Sequence, residues 1–190
     1  YHKEKRQFYV AEDPERITAL FRKKEDELKT LSDDVKNAIP ELKSLYDKGG
    51  QKPVARLYEG VAGVRTVLED VLLVMNGASG KEKEYYVYSP EEMRPVLYKC
   101  FADFSKERFA KNICVKTIAL GGGGSLAGLD ERKWIKTDEL KNPTYTLIYN
   151  GRVAYITFDS AKNPVGAIIE NDGIYEMQKF IFLNLWKTLQ

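Results

Sequence analysis

The chain is poor in the side chains from which most metal and redox sites are built. Its 190 residues include one histidine and two cysteines, Cys100 and Cys114. One histidine and two cysteines cannot complete a usual structural zinc site without carboxylates, so we expect no metal site and no cofactor. The cysteines fall in a helical and a strand pattern, which is typical of buried free thiols in a reducing cytoplasm.

Two further absences narrow the class of protein. No apolar run reaches the length of a membrane-spanning helix, and no signal peptide is recognisable, so we expect a cytoplasmic protein without membrane contact. The 30 basic residues nearly balance the 28 acidic ones, which excludes a chain-wide positive surface for nucleic acid. Residues 1–6 are locally basic, either as a polar terminus or as the end of a DNA-binding module. Because the first residue is not Met, we expect a fragment or a processed product.

A heptad pattern occupies the first quarter of the chain. Apolar residues recur in steps of three and four and predict a helix that begins near Asp13 and Pro14. This helix is either packed on its own domain or forms a dimeric coiled coil. Pro40 is expected to interrupt or restart it, and residues 47–53 to separate it from the rest of the chain. The residues expected at the dimer contact are Ile17, Phe21, Leu28, Leu31 and Val35.

Strand and helix patterns alternate after this break. Residues 54–58 read as a strand and 61–75 as a helix; 84–88, 113–120 and 165–170 read as further strands. Ser89 and Pro90 predict the start of a helix that carries apolar residues as far as Phe104. Asn150 and Gly151, between two alternating segments, predict a β-hairpin. The order indicates an α/β fold, with a mixed central sheet and helices on its faces.

Two more segments have patterns of their own. Residues 121–125, four glycines and a serine, are typical of a flexible linker and lack the lysine of a phosphate-binding Walker loop. The last segment, 173–189, predicts an amphipathic helix. The residues expected on its buried face are Ile174, Met177, Ile181, Phe182, Leu185 and Trp186.

Candidate ligand-binding residues are indicated by the position of strand ends. Tyr58 and Glu59 end a strand, where α/β sheets place ligands, and Gly60 permits the turn; the alternative is that Glu59 only caps the next helix. Tyr88 is a strand tyrosine that can stack on a ligand or simply pack in the sheet. Arg152 can meet an anionic ligand or remain a solvated surface charge.

Four segments, in this order, resemble the TrmB-like transcriptional regulators: residues 9–15, 57–70, 148–154 and 164–186. The resemblance implies a winged helix, a helical linker that dimerises, and an effector domain with a phospholipase D-like fold. In this chain it implies a remnant of the winged-helix module at 1–12, a dimerisation linker at 13–47 and an α/β effector domain at 53–190.

The same resemblance bears on activity and partners. Phospholipase D-like enzymes use a His-x-Lys-x-x-x-x-Asp motif. When the Asp of this motif is aligned with Asn150, its His falls on Pro143 and its Lys on Tyr145. We therefore expect that the chain has no phosphodiesterase activity and is not an enzyme. The resemblance implies a homodimer that reaches DNA through a winged helix absent from this chain, with a small molecule such as a sugar as effector. The alternatives are a hydrolytic enzyme on this scaffold or a purely structural protein-interaction domain.

Overall fold

The computed structural model describes residues 15–47, 53–80, 83–122, 128–137 and 140–189, with the backbone alone for 40–47. The chain divides into two compact units, Tyr1–Gly50 and Gln51–Gln190. Several predicted features lie outside the described residues: the segment 1–12, the cap at Asp13 and residues 123–125 of the glycine run.

The described part of the chain forms both helices and strands. The helices are α1 (Glu15–Asp47), α2 (Gly60–Gly77), α3 (Arg94–Cys100), α4 (Phe104–Ala110) and α5 (Asp172–Thr188). The strands are β1 (Val54–Glu59), β2 (Glu84–Pro90), β3 (Cys114–Leu120), β4 (Asp130–Ile135), β5 (Tyr145–Tyr149), β6 (Arg152–Phe158) and β7 (Pro164–Glu170).

Helix α1 continues through Pro40 to Asp47, so the expectation that Pro40 interrupts the helix is wrong. A proline removes one backbone hydrogen bond and bends a helix, and the lysine, glutamate and leucine residues around it favour the helical backbone. The apolar stripe of α1 is exposed throughout, each side chain to between 56% and 68%. We define the α1 stripe as Ile17, Phe21, Leu28, Leu31 and Val35.

Seven strands of the described residues form one mixed sheet in the order β1-β7-β6-β5-β2-β3-β4. Strands β2, β3 and β4 are parallel to one another, whereas β5, β6, β7 and β1 are joined by antiparallel pairings and β5 is antiparallel to β2. The fold is therefore the predicted α/β fold with a mixed central sheet. The boundary between its two halves lies at β2 and β5.

Alternation along the strands builds two apolar cores, because successive side chains point to opposite faces of a sheet. One face, here called the α2 face, packs residues such as Leu147 and Ile156 against Val67 and other residues of α2. The other, the α5 face, surrounds Phe182 with Ile148 and Tyr86. Phe182 is fully buried, but Met177 is 59% exposed and Ile181 45%. The expectation that both lie in the core is wrong, because α5 rests on the sheet along one narrow side.

The predicted hairpin is confirmed. Tyr149 pairs with Arg152 across a two-residue turn, and both turn residues have a positive φ, 28° at Asn150 and 79° at Gly151. Asparagine and glycine are the residues that tolerate this left-handed backbone. The turn sets the register of the antiparallel half of the sheet.

The region after β2 differs from the prediction. Ser89 and Pro90 do not begin a helix, because they continue β2 in register with Ala119 and Leu120 of β3. A short 3-10 turn, Glu91–Met93, then leads into α3. The predicted single helix also breaks at Phe101, where φ is −154°; the break brings the rings of Phe101 and Phe104 to an edge-on contact at 5.8 Å.

Candidate ligand-binding site

The three predicted site residues at the end of β1 have different surroundings. Tyr58 is half-buried against the core on the α2 face. Glu59 is exposed and occupies the N-cap position of α2, and its side chain makes no capping hydrogen bond to that helix. Gly60 opens the helix with φ +69°, which is the conformational role expected of it.

Tyr88 lies on the opposite face of the sheet. Its ring meets Phe182 edge-on, 5.2 Å between centroids, inside the core on the α5 face. Burial raises the pKa of the Tyr88 hydroxyl, which has no hydrogen-bond partner among the described residues. Four strand spacings, roughly 19 Å at 4.8 Å each, separate Tyr88 from β1. The structure therefore does not bring Tyr88 together with Tyr58.

Arg152 is engaged in an ion-pair network. Its Nη1 donates to Asp70 Oδ1 of α2 at 2.6 Å, and its Nη2 lies 3.3 Å from Glu170 of β7. Asp70 also accepts a hydrogen bond from the Tyr149 hydroxyl at 2.8 Å; burial and this carboxylate raise the pKa of Tyr149 well above its usual range. Arg152 thus forms ion pairs with two carboxylates, and its pair with Asp70 connects α2 to the sheet.

A cavity of about 380 Å³ lies instead between the sheet and helices α3 and α4. Its lining includes Ser89 at the carboxyl end of β2, the kind of position where ligands bind in open α/β sheets, together with Asp130 at the start of β4. Its volume falls within the usual range for small-molecule sites. The lining residues come from α2, β2, the α3–α4 segment, β4 and β5. They are Leu68, Ser89, Arg94, Leu97, Tyr98, Phe101, Ala102, Phe104, Ser105, Asp130, Arg132 and Tyr145.

Two arginines of this lining approach each other from different elements. Arg94 opens α3, directly after the turn that follows β2, and Arg132 lies on β4. Burial, and secondly the positive charge of Arg94, lower the pKa of Arg132. Desolvation raises the pKa of Tyr145 to about 12, although the positive charges of three arginines lower it. The Tyr145 hydroxyl therefore stays protonated at neutral pH. The charged residues of the described lining thus give the cavity an excess of positive charge.

The one carboxylate in the lining belongs to an ion pair. Asp130 meets Arg108 of α4, and their side chains are 7% and 2% exposed. Arg108 also donates through Nη1 to the carbonyl oxygen of Ile113 at 2.6 Å. This pair joins α4 to the start of β3 and to β4, and it holds the wall of the cavity in place.

Sequence reasoning missed Arg94, Arg132 and the strand that carries Arg132. The segment 130–135 reads Asp-Glu-Arg-Lys-Trp-Ile, and its four successive charged residues conceal the strand pattern. It becomes a strand because it pairs in parallel with β3 over six residues. The signal that remained in the sequence is Arg94 itself, at the strand-to-helix junction that α/β sheets use for ligands.

The described residues offer neither a metal site nor a membrane span. No group of three or more His, Cys, Asp or Glu side chains in the described ranges can hold a metal ion. Within the same ranges, every helix is too short or too polar to cross a membrane. Cys100 is buried and Cys114 half-buried, and both are free thiols.

Comparison with known proteins yields structural likenesses alone. No protein-family model and no curated protein matches the chain. Among solved structures, TrmBL2, an archaeal chromatin protein with a novel mode of DNA binding, matches at 12% identity and a TM-score of 0.46, over 92% of this chain and 68% of that one. Nuc, a phospholipase D family member from Salmonella typhimurium, matches at 12% and 0.47, over 73% and 97%. NucT from Helicobacter pylori matches at 9% and 0.47, over 73% and 98%.

Proposed function

We propose that this chain is the effector and dimerisation part of a DNA-binding transcriptional regulator. Helix α1 would join two copies, the α/β unit would bind a small molecule, and DNA would be read by a winged helix outside this chain. The observation that carries the proposal is the α1 stripe. Its five large apolar side chains recur at coiled-coil spacing and are all exposed, and such a stripe is stable in water when it meets a second helix.

The cavity between the sheet and helices α3 and α4 supports the sensing part of the proposal. Its described lining contains no histidine, cysteine or lysine, and its only carboxylate is paired with Arg108. Tyr145, where the phospholipase D-like motif would place its lysine, is one of the lining residues. A binding site whose described lining lacks the histidine nucleophile and the lysine of a phospholipase D-like enzyme suits a receptor better than a hydrolase of that kind.

Oligomeric state tests the proposal. Light scattering on the 21.7 kDa chain at micromolar concentration should give the mass of a dimer. Leu28→Asp should produce a monomer, because burial of one leucine in each copy contributes about 3–6 kcal/mol to the dimer, or roughly a 100- to 10,000-fold change in its dissociation constant.

Thr30→Asp is the matched control, because it adds the same charge on the polar side of α1. We expect Thr30→Asp to remain a dimer. A monomeric wild-type chain, or a dimer that Leu28→Asp leaves intact, would contradict the proposal.

Activity provides a second test. We expect the chain to leave bis(p-nitrophenyl) phosphate unhydrolysed at neutral pH, because Pro143, Tyr145 and Asn150 occupy the positions of the three motif residues. Release of p-nitrophenol is followed by absorbance. Hydrolysis that increases with the concentration of the chain, and that Arg132→Gln abolishes, would make the chain an enzyme and would refute its assignment as a receptor.

A further inference from the structure

The cavity holds two guanidinium groups, each with two buried nitrogen atoms that make no hydrogen bond to the described residues. Nε and Nη2 of Arg94, and Nε and Nη1 of Arg132, are buried and have no hydrogen-bond partner among the described residues. Buried polar atoms in folded proteins are nearly always hydrogen-bonded, and a buried charge without a partner is costly. Four unused donors from two arginines therefore point to a ligand that accepts hydrogen bonds.

The nearby carboxylates do not supply that acceptor. Asp130 forms an ion pair with Arg108. Three guanidinium groups, those of Arg94, Arg108 and Arg132, therefore lie near one carboxylate, and the cavity has an excess of positive charge. Glu92 lies outside the lining; its Oε1 accepts a hydrogen bond from the backbone nitrogen of Leu140 at 3.1 Å, and its buried Oε2 has no hydrogen-bond partner among the described residues. The ligand that balances this charge is an anion.

One part of the cavity wall is apolar and largely aromatic. Phe101 and Phe104 meet edge-on at 5.8 Å, and Arg65 of α2 lies 4.6 Å from the centre of the Phe101 ring. Tyr98, Leu68 and Leu97 complete this wall. Such a surface packs against a planar or apolar group, so a bare inorganic ion would fill only one side of a space of about 380 Å³.

We propose that this cavity binds a small organic oxyanion, a phosphate monoester or a carboxylate carried on a planar or apolar body, with Arg94 and Arg132 holding the charged group. The arginine fork matches the oxygen atoms of both groups and bonds them in pairs. Ser89 and the protonated Tyr145 hydroxyl lie in the same lining and add neutral donors. This inference rests on the proposed function, because it names the class of effector that the regulator would sense.

Binding is measured by calorimetry and by thermal melting of the full chain at constant ionic strength. The probes are phenyl phosphate, benzoate, inorganic phosphate and the neutral benzyl alcohol. We expect saturable binding and a raised melting temperature with phenyl phosphate, with benzoate, or with both. The probe that binds more tightly shows whether the site prefers a phosphate or a carboxylate group. Inorganic phosphate should bind at least tenfold more weakly than the better probe, and benzyl alcohol should leave the melting temperature unchanged.

Variants assign the binding to the two arginines. Arg94→Gln and Arg132→Gln should each weaken binding of the better probe at least tenfold. Lys99→Gln is the control, because it removes a positive charge from an exposed side chain of the same helix, α3, that does not line the cavity. It should change the dissociation constant less than twofold.

The melting temperature without ligand distinguishes a binding role from a structural one. Arg132→Gln should melt at or above the wild-type temperature, because it removes one of two like charges. Should either glutamine variant fail to fold, Arg132→Lys keeps the charge without the planar fork and should weaken binding several-fold.

Two results would overturn the inference: no saturable binding of either organic anion, or binding that both arginine substitutions leave unchanged. A dimer that binds neither anion refutes this inference and leaves the proposed function standing. A monomer that binds phenyl phosphate through Arg94 and Arg132 supports the anion site and refutes the proposed dimerising regulator.

Discussion

The ion pair between Asp130 and Arg108 gives a sharp test of the charge balance around the cavity. Both side chains are almost completely buried, and Arg94 and Arg132 line the same cavity as Asp130. Asp130→Asn removes the one negative charge that these three guanidinium groups meet in the described lining. The arginines cannot relieve the imbalance by losing a proton, because the guanidinium group remains charged at every pH a protein tolerates.

Loss of one partner from a buried pair lowers the free energy of unfolding by about 3–5 kcal/mol. We expect Asp130→Asn to fall in that range, which for a chain of this length corresponds to a melting temperature roughly 6–20 °C lower. Urea denaturation at a fixed protein concentration measures the change, and an unchanged m-value shows that the midpoints can be compared.

Glu131→Gln is the matched control for this substitution. Glu131 is the next residue of β4, its side chain is 64% exposed, and it lies 3.6 Å from Lys116. Exposed pairs of this kind contribute about 0–1 kcal/mol. If Asp130→Asn and Glu131→Gln lower the free energy of unfolding equally, the buried positive charge is compensated in another way, and the reasoning that assigns an anion to the cavity fails.

Three further predictions concern the sheet. Gly166→Ala would place a Cβ 2.8 Å from Val67 Cγ2 and should lower the free energy of unfolding in urea by about 1–3 kcal/mol; an unchanged midpoint would mean that α2 can shift away from β7. Gly151→Ala, at φ 79°, should cost about 1–2 kcal/mol in the same assay, and a neutral effect would show that the hairpin turn can change type. A hydrogen bond from the backbone N–H of Asn163 lowers the pKa of Asp159. The Asp159 carboxylate therefore stabilises its turn above the ordinary aspartate pKa, and this stabilisation is lost as the pH falls through the lowered pKa. Titration followed by carbon NMR should give a pKa below 3.8 for Asp159; a value at or above 3.8 would refute the assignment.

Local patterns predicted the secondary structure where neighbouring residues decide it. Asn150 and Gly151 adopt the left-handed backbone of a two-residue turn wherever they join two strands. The alternation of apolar residues predicted strands β1, β2, β3 and β7, and the helical spacing predicted α2 and α5. These features depend on the period of a few adjacent side chains, which no distant contact has to supply.

Features that depend on pairing between distant segments were missed or placed wrongly. Ser89 and Pro90 have the chemistry of a helix start, but their parallel register with β3 keeps them in a strand. Met177 has the helical spacing of a core residue and yet is exposed. The charged segment 130–135 has no strand signal of its own and becomes β4 through its partner β3.

The sequence by itself determined the α/β class, the hairpin and the apolar stripe of α1, because each depends on local periodicity. Only the tertiary structure decided where a ligand can bind. Tyr58, Tyr88 and Arg152 lie on separate strands and on two faces of the sheet, whereas Arg94 and Arg132, 38 positions apart in the sequence, line one cavity. A pocket is formed by the order and direction of strands in the sheet, and no single segment of the chain carries that information.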